Sequence, residues 1–492
     1  MRDALVLAAS LVVAGCGSPL LNASPFAVGL PATIHTRAAQ SPIAHVVIVI
    51  QENRSFDDLF ALFPGADGAT RGLMEVKQGS KYVDQWETLK PHALIMPKDV
   101  QHCHASFVTS YDDKKMDGFN LVPVGACAAT GKPVGTVVYQ YVEESQIEPY
   151  WDIAQQWVLA DHMFQTQGSG SFTAHQDLIR GGTCITAEPS CQSPSSKTES
   201  LVNGPSSWPW GCDAQEKDAV TSLINIYGQV ERDGPFPCSD DFPDYGSGGY
   251  KTMRDLLDAA GVSWKYYTPC FSDQDGCSPS SGCPDCDGDL LNAFDVIYPV
   301  RYGPEWTTNI SMPETNIFND ISNGALPAVS WVIPADDDSD HPGQKVDDGP
   351  SWVASVVNAI GESSYWNSSV VFVVWDDWGG FYDNAVPPFQ DDFGGLGFRV
   401  PALVISPYDI AGKSSKGGYV SHTQFEFASI LKFVESNWNL GSLGTTDVRA
   451  RNIGKHVLDY NQTARSFSAI PSRYSAQYFE SRPPTIQHGD PE

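Results

Sequence analysis

The stretch His45-Val-Val-Ile-Val-Ile-Gln-Glu-Asn-Arg-Ser-Phe-Asp57 decides the fold. Val46 to Ile50 are five consecutive apolar residues, the pattern of a central strand buried on both faces. The run stops abruptly on Glu52 and Asn53, and open α/β sheets present their ligand-binding groups where strands end. Ser55-Phe56-Asp57-Asp58-Leu59-Phe60 then predicts the start of a helix, with acidic side chains in its first turn facing the positive end of the helix dipole. A strand that ends in a solvated polar loop would read the same way, so the segment needs support from elsewhere in the chain.

That support is a repeat of the same grammar. Ser369 to Trp375 is a second buried-strand run, and it feeds directly into Asp376-Asp377-Trp378-Gly379-Gly380. Val400 to Ser406 is a third, followed by a predicted helix over 423–436 in which Phe425, Ile430, Leu431 and Phe433 share a face. Another strand is expected at Trp157 to Asp161. Strands alternating with helices over this length predict an α/β fold: a doubly wound, mostly parallel sheet with helices on both faces. Residues 183–292 differ, being rich in Cys, Ser, Pro, Gly and Asp, and they predict a disulfide-rich insertion with one helix from Tyr250 to Ala260, stopped by Gly261. The catalytic core is therefore expected in two parts, 43–182 and 293–470, with a linker at 17–42 and a C-terminal tail at 471–492.

Charge and cysteines bound the setting. The formal net charge is −29, so the surface repels nucleic-acid backbones and anionic headgroups, and nucleic acid is excluded as a main partner. Arg2 followed by an apolar run to Val13-Ala14-Gly15-Cys16 predicts an export signal over 1–16. The last four residues look like a bacterial lipobox, so the expected location is the cell envelope, with membrane attachment through a lipidated Cys16, or the secreted fraction. Setting Cys16 aside leaves an even number of cysteines, which suits disulfides in an oxidising compartment. The preferred pairings are Cys103 with Cys127, Cys184 with Cys191 and Cys212 with Cys238. Cys270, Cys277, Cys283 and Cys286 would pair among themselves, unless Cys283-Pro-Asp-Cys286 marks a zinc site.

The chemistry-bearing residues form a set. Gln167-Gly-Ser-Gly-Ser171-Phe-Thr-Ala-His175 follows the strand at Trp157, and its glycines let the backbone approach a ligand and expose a hydroxyl. A serine hydroxyl needs a base or a metal to act as a nucleophile at neutral pH. The strand ends at Glu52-Asn53 and Asp376-Asp377 place carboxylates and an amide at the sheet edge, which points to a metal site.

Glu52-Asn-Arg-Ser-Phe-Asp57, Asp376-Asp-Trp-Gly-Gly-Phe-Tyr-Asp383, Ser339-Asp-His-Pro342 and Asp99-Val-Gln-His102 followed by Lys115-Met-Asp-Gly-Phe119 together resemble the phosphoesterase family of bacterial phospholipase C enzymes and respiratory-burst-inhibiting acid phosphatases. The resemblance covers roughly 43–440. It implies an alkaline-phosphatase-like core and one metal ion held by Glu52, Asn53, Ser171, Asp376 and Asp377, an all-oxygen donor set that suits a hard divalent ion such as calcium, magnesium or manganese without excluding iron or zinc. Ser171 is then the nucleophile that becomes phosphorylated, with Ser169 and Thr173 as weaker alternatives. His341 and His102 protonate the leaving group or hold phosphoryl oxygens, and His104 is an alternative to His102. Arg54, Asp57, His162 and His175 are expected to support the ligands from behind, and His422 to cap or brace the helix after it. Trp378 and Asn384 stand where phospholipase C members carry histidines, which leaves a phosphate monoester and a phospholipid both open as substrate. Two other readings compete: a non-catalytic surface lipoprotein binding phospho-ligands or glycans, with Trp208 and Trp210 as a stacking surface, and a sulfatase or phosphonate hydrolase of the same fold.

Overall fold

The computed structural model describes residues 41–125, 127, 131–185, 200–203, 211–213, 221–225, 229–231, 238, 250–270, 291–389, 395–413 and 418–483. The expected export signal with Cys16, most of the expected linker, Trp208, Trp210 and Cys191, Cys277, Cys283 and Cys286 lie outside the described residues. Disulfides join Cys103 to Cys127 and Cys212 to Cys238, as expected.

Eight strands build the main sheet: β1 (His45–Gln51), β2 (Val158–Ala160), β3 (Trp264–Tyr267), β4 (Ile310–Ser311), β5 (Val329–Val332), β6 (Ser369–Trp375), β7 (Ala402–Ile405) and β8 (Tyr419–Ser421). Across the sheet they run β4-β3-β5-β1-β6-β7-β2-β8. Every neighbouring pair is parallel except the two that β7 makes, with β6 and with β2. The apolar runs at 46–50 and 369–375 become the two strands at the centre, where both faces are covered and polar side chains could not be solvated.

The helices used below are α1 (Phe56–Phe60), α2 (His104–Tyr111), α3 (Glu148–Gln156), α4 (Ser171–Arg180), α5 (Met253–Ala260), α6 (Gly349–Gly361), α7 (Phe427–Trp438) and α8 (Ala476–Ser481). Side-chain parity places them on both faces of the sheet. Ile48, Trp331 and Phe372 are in register and point the same way. Phe372 meets Phe433 of α7 at 5.7 Å, and the Trp331 indole donates to the Leu178 carbonyl of α4. Trp375, three residues beyond Phe372, faces the other side and meets Tyr150 of α3 at 4.9 Å.

Three boundaries differ from expectation. β3 lies inside the segment read as insertion, because aromatic Trp264, Tyr266 and Tyr267 make a good strand whose signal a Cys- and Gly-rich composition masks. The tail at 471–492 is folded in part: Phe479 of α8 packs at 5.3 Å on Trp352 of α6. α7 starts at Phe427 rather than Thr423, since Phe425-Glu426 pairs as a strand with Met163-Phe164 and Glu426 caps the helix in a box with Ser429. His422 accordingly does not cap it; its Nδ1 lies 2.7 Å from Asp161 Oδ2, at the end of β2.

Candidate active site at the carboxyl edge of the sheet

The register of the central strands assembles the site. Gln51 pairs with Trp375, so Glu52 and Asp376 leave β1 and β6 side by side, and the Asp376 amide donates to the Gln51 carbonyl at 2.9 Å. Asn53 turns out of the strand at φ 58°, a left-handed conformation that asparagine tolerates better than most residues. Its backbone amide donates to Asp376 Oδ1 at 2.9 Å. Asp376 Oδ1 also receives the Asp377 amide, and Asp377 Oδ1 receives the Gly379 amide, both at 2.6 Å. Ser171 opens α4, and its hydroxyl donates to Asp377 Oδ2 at 3.1 Å. Residues separated by hundreds of positions are thus locked by short polar contacts in a buried setting.

Gly379 is required by this closeness. It sits at φ +60°, and a Cβ there would lie 2.0 Å from the Asn53 carbonyl oxygen. Gly379→Ala is expected to displace Asn53, lowering turnover about 10–100-fold and stability by about 1–3 kcal/mol. Gly79→Ala is the matched comparison: φ is +65° and nothing lies within 4 Å of its Cβ. Assay and thermal melting of both variants separate backbone strain, common to the two, from the clash, and equal losses would show that the clash has no consequence.

The histidines divide by contact. His102 is buried, and its Nδ1 bonds the Val100 carbonyl at 2.8 Å. A carbonyl only accepts, so Nδ1 carries the proton and Nε2 accepts from Asn53 Nδ2 at 2.9 Å. Nε2 also lies 3.8 Å from Asp377 Oδ2. The His341 ring stands 6.0 Å from the His102 ring, with its Nδ1 held by the Pro342 carbonyl at 2.6 Å. His104 is elsewhere, bonding the Gly168 carbonyl at 2.7 Å and so bracing the loop before Ser171. Between the two candidates for that role, His102 is the one at the carboxylates. His175, one turn after Ser171 on α4, points Nε2 to within 3.8 Å of Asp376 Oδ2. Burial pushes its pKa down to about 4, with Asp376 opposing, so the ring is neutral near pH 7.

His162 does not join the group. Its Nε2 lies 3.0 Å from Asp67 Oδ2 on a partly exposed edge, a correction to its expected supporting role. Arg54 and Asp57 support the ligands only through the backbone. Arg54 donates to the Asp340 and Leu94 carbonyls and to Asp58, which fixes the loop carrying His341. Asp57 accepts the amides of Ala69 and Asn384. Ser169 and Thr173 bond each other at 3.2 Å and touch neither Asp376 nor Asp377.

Sequence reasoning missed two residues. Tyr266 of β3 holds His175, and Arg399 pairs with Asp383 while donating to the Asp67 and Asp161 carbonyls. The signal for Arg399 was a cation wedged in Gly397-Phe-Arg-Val-Pro401 just ahead of a buried strand.

The donor chemistry fits a cation. Glu52 Oε1, Asn53 Oδ1 and Asp376 Oδ2 are buried and have no hydrogen-bond partner, although such atoms are costly to bury unsatisfied. Burial, then the neighbouring Asp376, push the Glu52 carboxyl well above its usual range, against the opposing influence of His341. A positive charge at this point would offset both effects. Among the described residues no group of three or more His, Cys, Asp or Glu side chains is gathered closely enough to hold a metal ion by itself. Asp376 Oδ1 and both oxygens of Asp377 are instead engaged by N–H and O–H donors of the site itself.

Residues 43–441 match the Phosphoesterase family. The chain belongs to that family. It is 25% identical over 496 residues to the non-hemolytic phospholipase C of Burkholderia pseudomallei (strain K96243), covering 92% of this chain and 62% of that protein. It is 30% identical over 242 residues to phospholipase C B of Mycobacterium tuberculosis (strain CDC 1551 / Oshkosh), covering 44% of each. The chain therefore spans less than two thirds of either relative. A solved protein in the alkaline phosphatase superfamily from Vibrio parahaemolyticus is similar at 12% identity and TM-score 0.34, over 84% of this chain and 70% of that one, a likeness too low to bear on function. At the two positions where the resemblance leads us to expect histidines, Trp378 is fully buried against Phe119 and Phe398, and Asn384 accepts from Arg399. Neither offers a ring nitrogen to the site. No helix among the described residues is long and apolar enough to cross a membrane.

Proposed function

We propose that the protein is an exported phosphoric ester hydrolase acting through Ser171. The observation that carries this reading is the Ser171 hydroxyl donating to Asp377 Oδ2 at the first turn of α4. There the hydroxyl has a carboxylate to receive its proton and helix N–H groups to face a phosphoryl oxygen. A divalent ion held by Glu52, Asn53, Asp376, Asp377 and Ser171 would lower the hydroxyl pKa and offset charge on the phosphoryl group.

Ser171 Oγ attacks phosphorus, the ester oxygen leaves, and a phosphoserine remains until water attacks phosphorus and releases phosphate. His341 is the proton donor to the leaving oxygen, and the Pro342 carbonyl at its Nδ1 fixes the orientation of the ring. His102 has both nitrogens engaged, so its part is to orient Asn53 rather than to donate. Export is supported by the apolar N-terminal run and by the two disulfides. The curated relatives are named for phospholipase C activity, and a phospholipid joins the phosphate monoester as a candidate substrate.

Dialysis against a chelator is expected to abolish turnover, and one divalent ion per chain to restore it. Elemental analysis finding an active preparation free of metal would reject the ion. A panel of phosphate monoesters, phosphatidylcholine, sphingomyelin and a sulfate ester identifies the substrate class. Failure to turn over any of them, with phosphate esters still bound, would replace the enzyme by a binding protein.

A further inference from the structure

We propose that His175 is a ligand of the same metal ion through Nε2, and that this nitrogen turns the site away from calcium and magnesium toward a transition-metal dication. The proposal rests on the metal-dependent reading above, and it concerns a residue that neither the sequence pattern nor the resemblance assigns to the ion.

The geometry begins with helix spacing. Ser171 and His175 are four residues apart on α4 and so share one face, turned to the Asp376-Asp377 pair. Ser171 meets Asp377 there, and His175 meets Asp376. The tautomer follows from the neighbours. The Tyr266 hydroxyl donates to the Leu291 carbonyl at 2.6 Å, so its proton is spent, and His175 Nδ1 at 3.3 Å must be the donor to the Tyr266 oxygen. Nε2 therefore carries a lone pair.

That lone pair points at an acceptor. His175 Nε2 and Asp376 Oδ2 face each other at 3.8 Å, both buried and both without a hydrogen-bond partner. Two groups that can only accept do not attract each other, and 3.8 Å is too long for a hydrogen bond. Donors each about 2.1 Å from one ion, at angles of about 90–130°, stand about 3.0–3.8 Å apart, which is the separation seen. Tyr266 then plays the part usual behind a ligating histidine, fixing ring orientation through the other nitrogen. An imidazole nitrogen suits iron, zinc, copper and nickel, whereas calcium and magnesium prefer oxygen alone.

The test uses the full-length protein loaded with manganese(II) as the probe and read by pulsed electron paramagnetic resonance. Directly bound imidazole gives a nitrogen hyperfine coupling, which should change isotope pattern in protein labelled with nitrogen-15 histidine. The coupling should vanish in His175→Gln and persist in His102→Gln. Calorimetric titration should show manganese affinity falling about 10–100-fold in His175→Gln and calcium affinity changing less. If His175→Gln does not fold, the labelled unmutated protein and His102→Gln still decide the matter. Manganese binding without histidine coupling, or coupling that survives His175→Gln, overturns this inference and leaves the hydrolase standing. A protein that hydrolyses esters while binding no divalent ion overturns the metal-dependent reading itself.

Discussion

Ser171→Ala should lower turnover of a chromogenic phosphate ester by at least about a thousandfold, the scale on which removal of a nucleophile is felt. The hydroxyl is the one oxygen of the Gly/Ser loop that reaches a carboxylate of the site, at 3.1 Å from Asp377 Oδ2. Ser169 and Thr173 are spent on each other and on Asn203. Their alanine variants should retain activity within about tenfold, because they shape the loop without facing phosphorus. The Ser171 variant removes one oxygen and creates no clash, so it should melt within about 1 kcal/mol of the parent. Steady-state kinetics on the three variants, with acid quenching and mass spectrometry to trap phosphate on the Ser171 peptide, provides the check. Undiminished turnover in Ser171→Ala, or phosphate trapped at another residue, would remove the proposed nucleophile.

The largest stability loss is expected from Arg399→Met. The Arg399 guanidinium is fully buried, bonds Asp383 with two nitrogens at 2.9 and 3.1 Å, and lies 3.7 Å from Asp57. It also holds the carbonyls of Asp67 and Asp161 and lies over the Phe56 ring. Methionine fills much of the volume but strands two buried carboxylates, which typically costs about 3–5 kcal/mol. The sign with pH follows from Asp57. Burial, then Asp383, already push its carboxyl well above the usual range, and Arg399 is the influence that lowers it. Losing the cation raises the folded-state value further, and the unfolded value is common to both proteins, so the pH-dependent part of the variant's deficit is absent below the parent's own raised folded-state value and grows as pH rises above it. Urea unfolding of both proteins at acid and neutral pH measures the difference. A deficit that is flat with pH would mean that Arg399 contributes packing alone.

Much of this was legible in the sequence, for a physical reason. A strand buried on both faces must be continuously apolar, so 46–50 and 369–375 announce themselves, and each ends on the polar residues that the sheet edge carries. The pairing of Glu52 with Asp376 required only that these two strands be neighbours. Less local features were hidden. β3 is only four residues long, and although three of them are aromatic, the Cys- and Gly-rich composition around it masked the signal. The place of Tyr266 behind His175 and of Arg399 between Asp57 and Asp383 depends on contacts across 91 and 16 residues, which no periodicity encodes. His162 shows the opposite failure. It was expected to support the ligands from behind, whereas the ring turns to Asp67.

Asp377 follows Ser171 by 206 residues, and Asp376 follows Asn53 by 323. Contacts so distant along the chain form late, because the entropy of closing long loops is lost before any interaction compensates. A chain emerging from its N-terminal end presents the Ser171 hydroxyl long before any carboxylate can take its proton. Reactivity is then a property of the finished sheet, carried by neither half of the polypeptide alone, and the chain is inert until that sheet has closed.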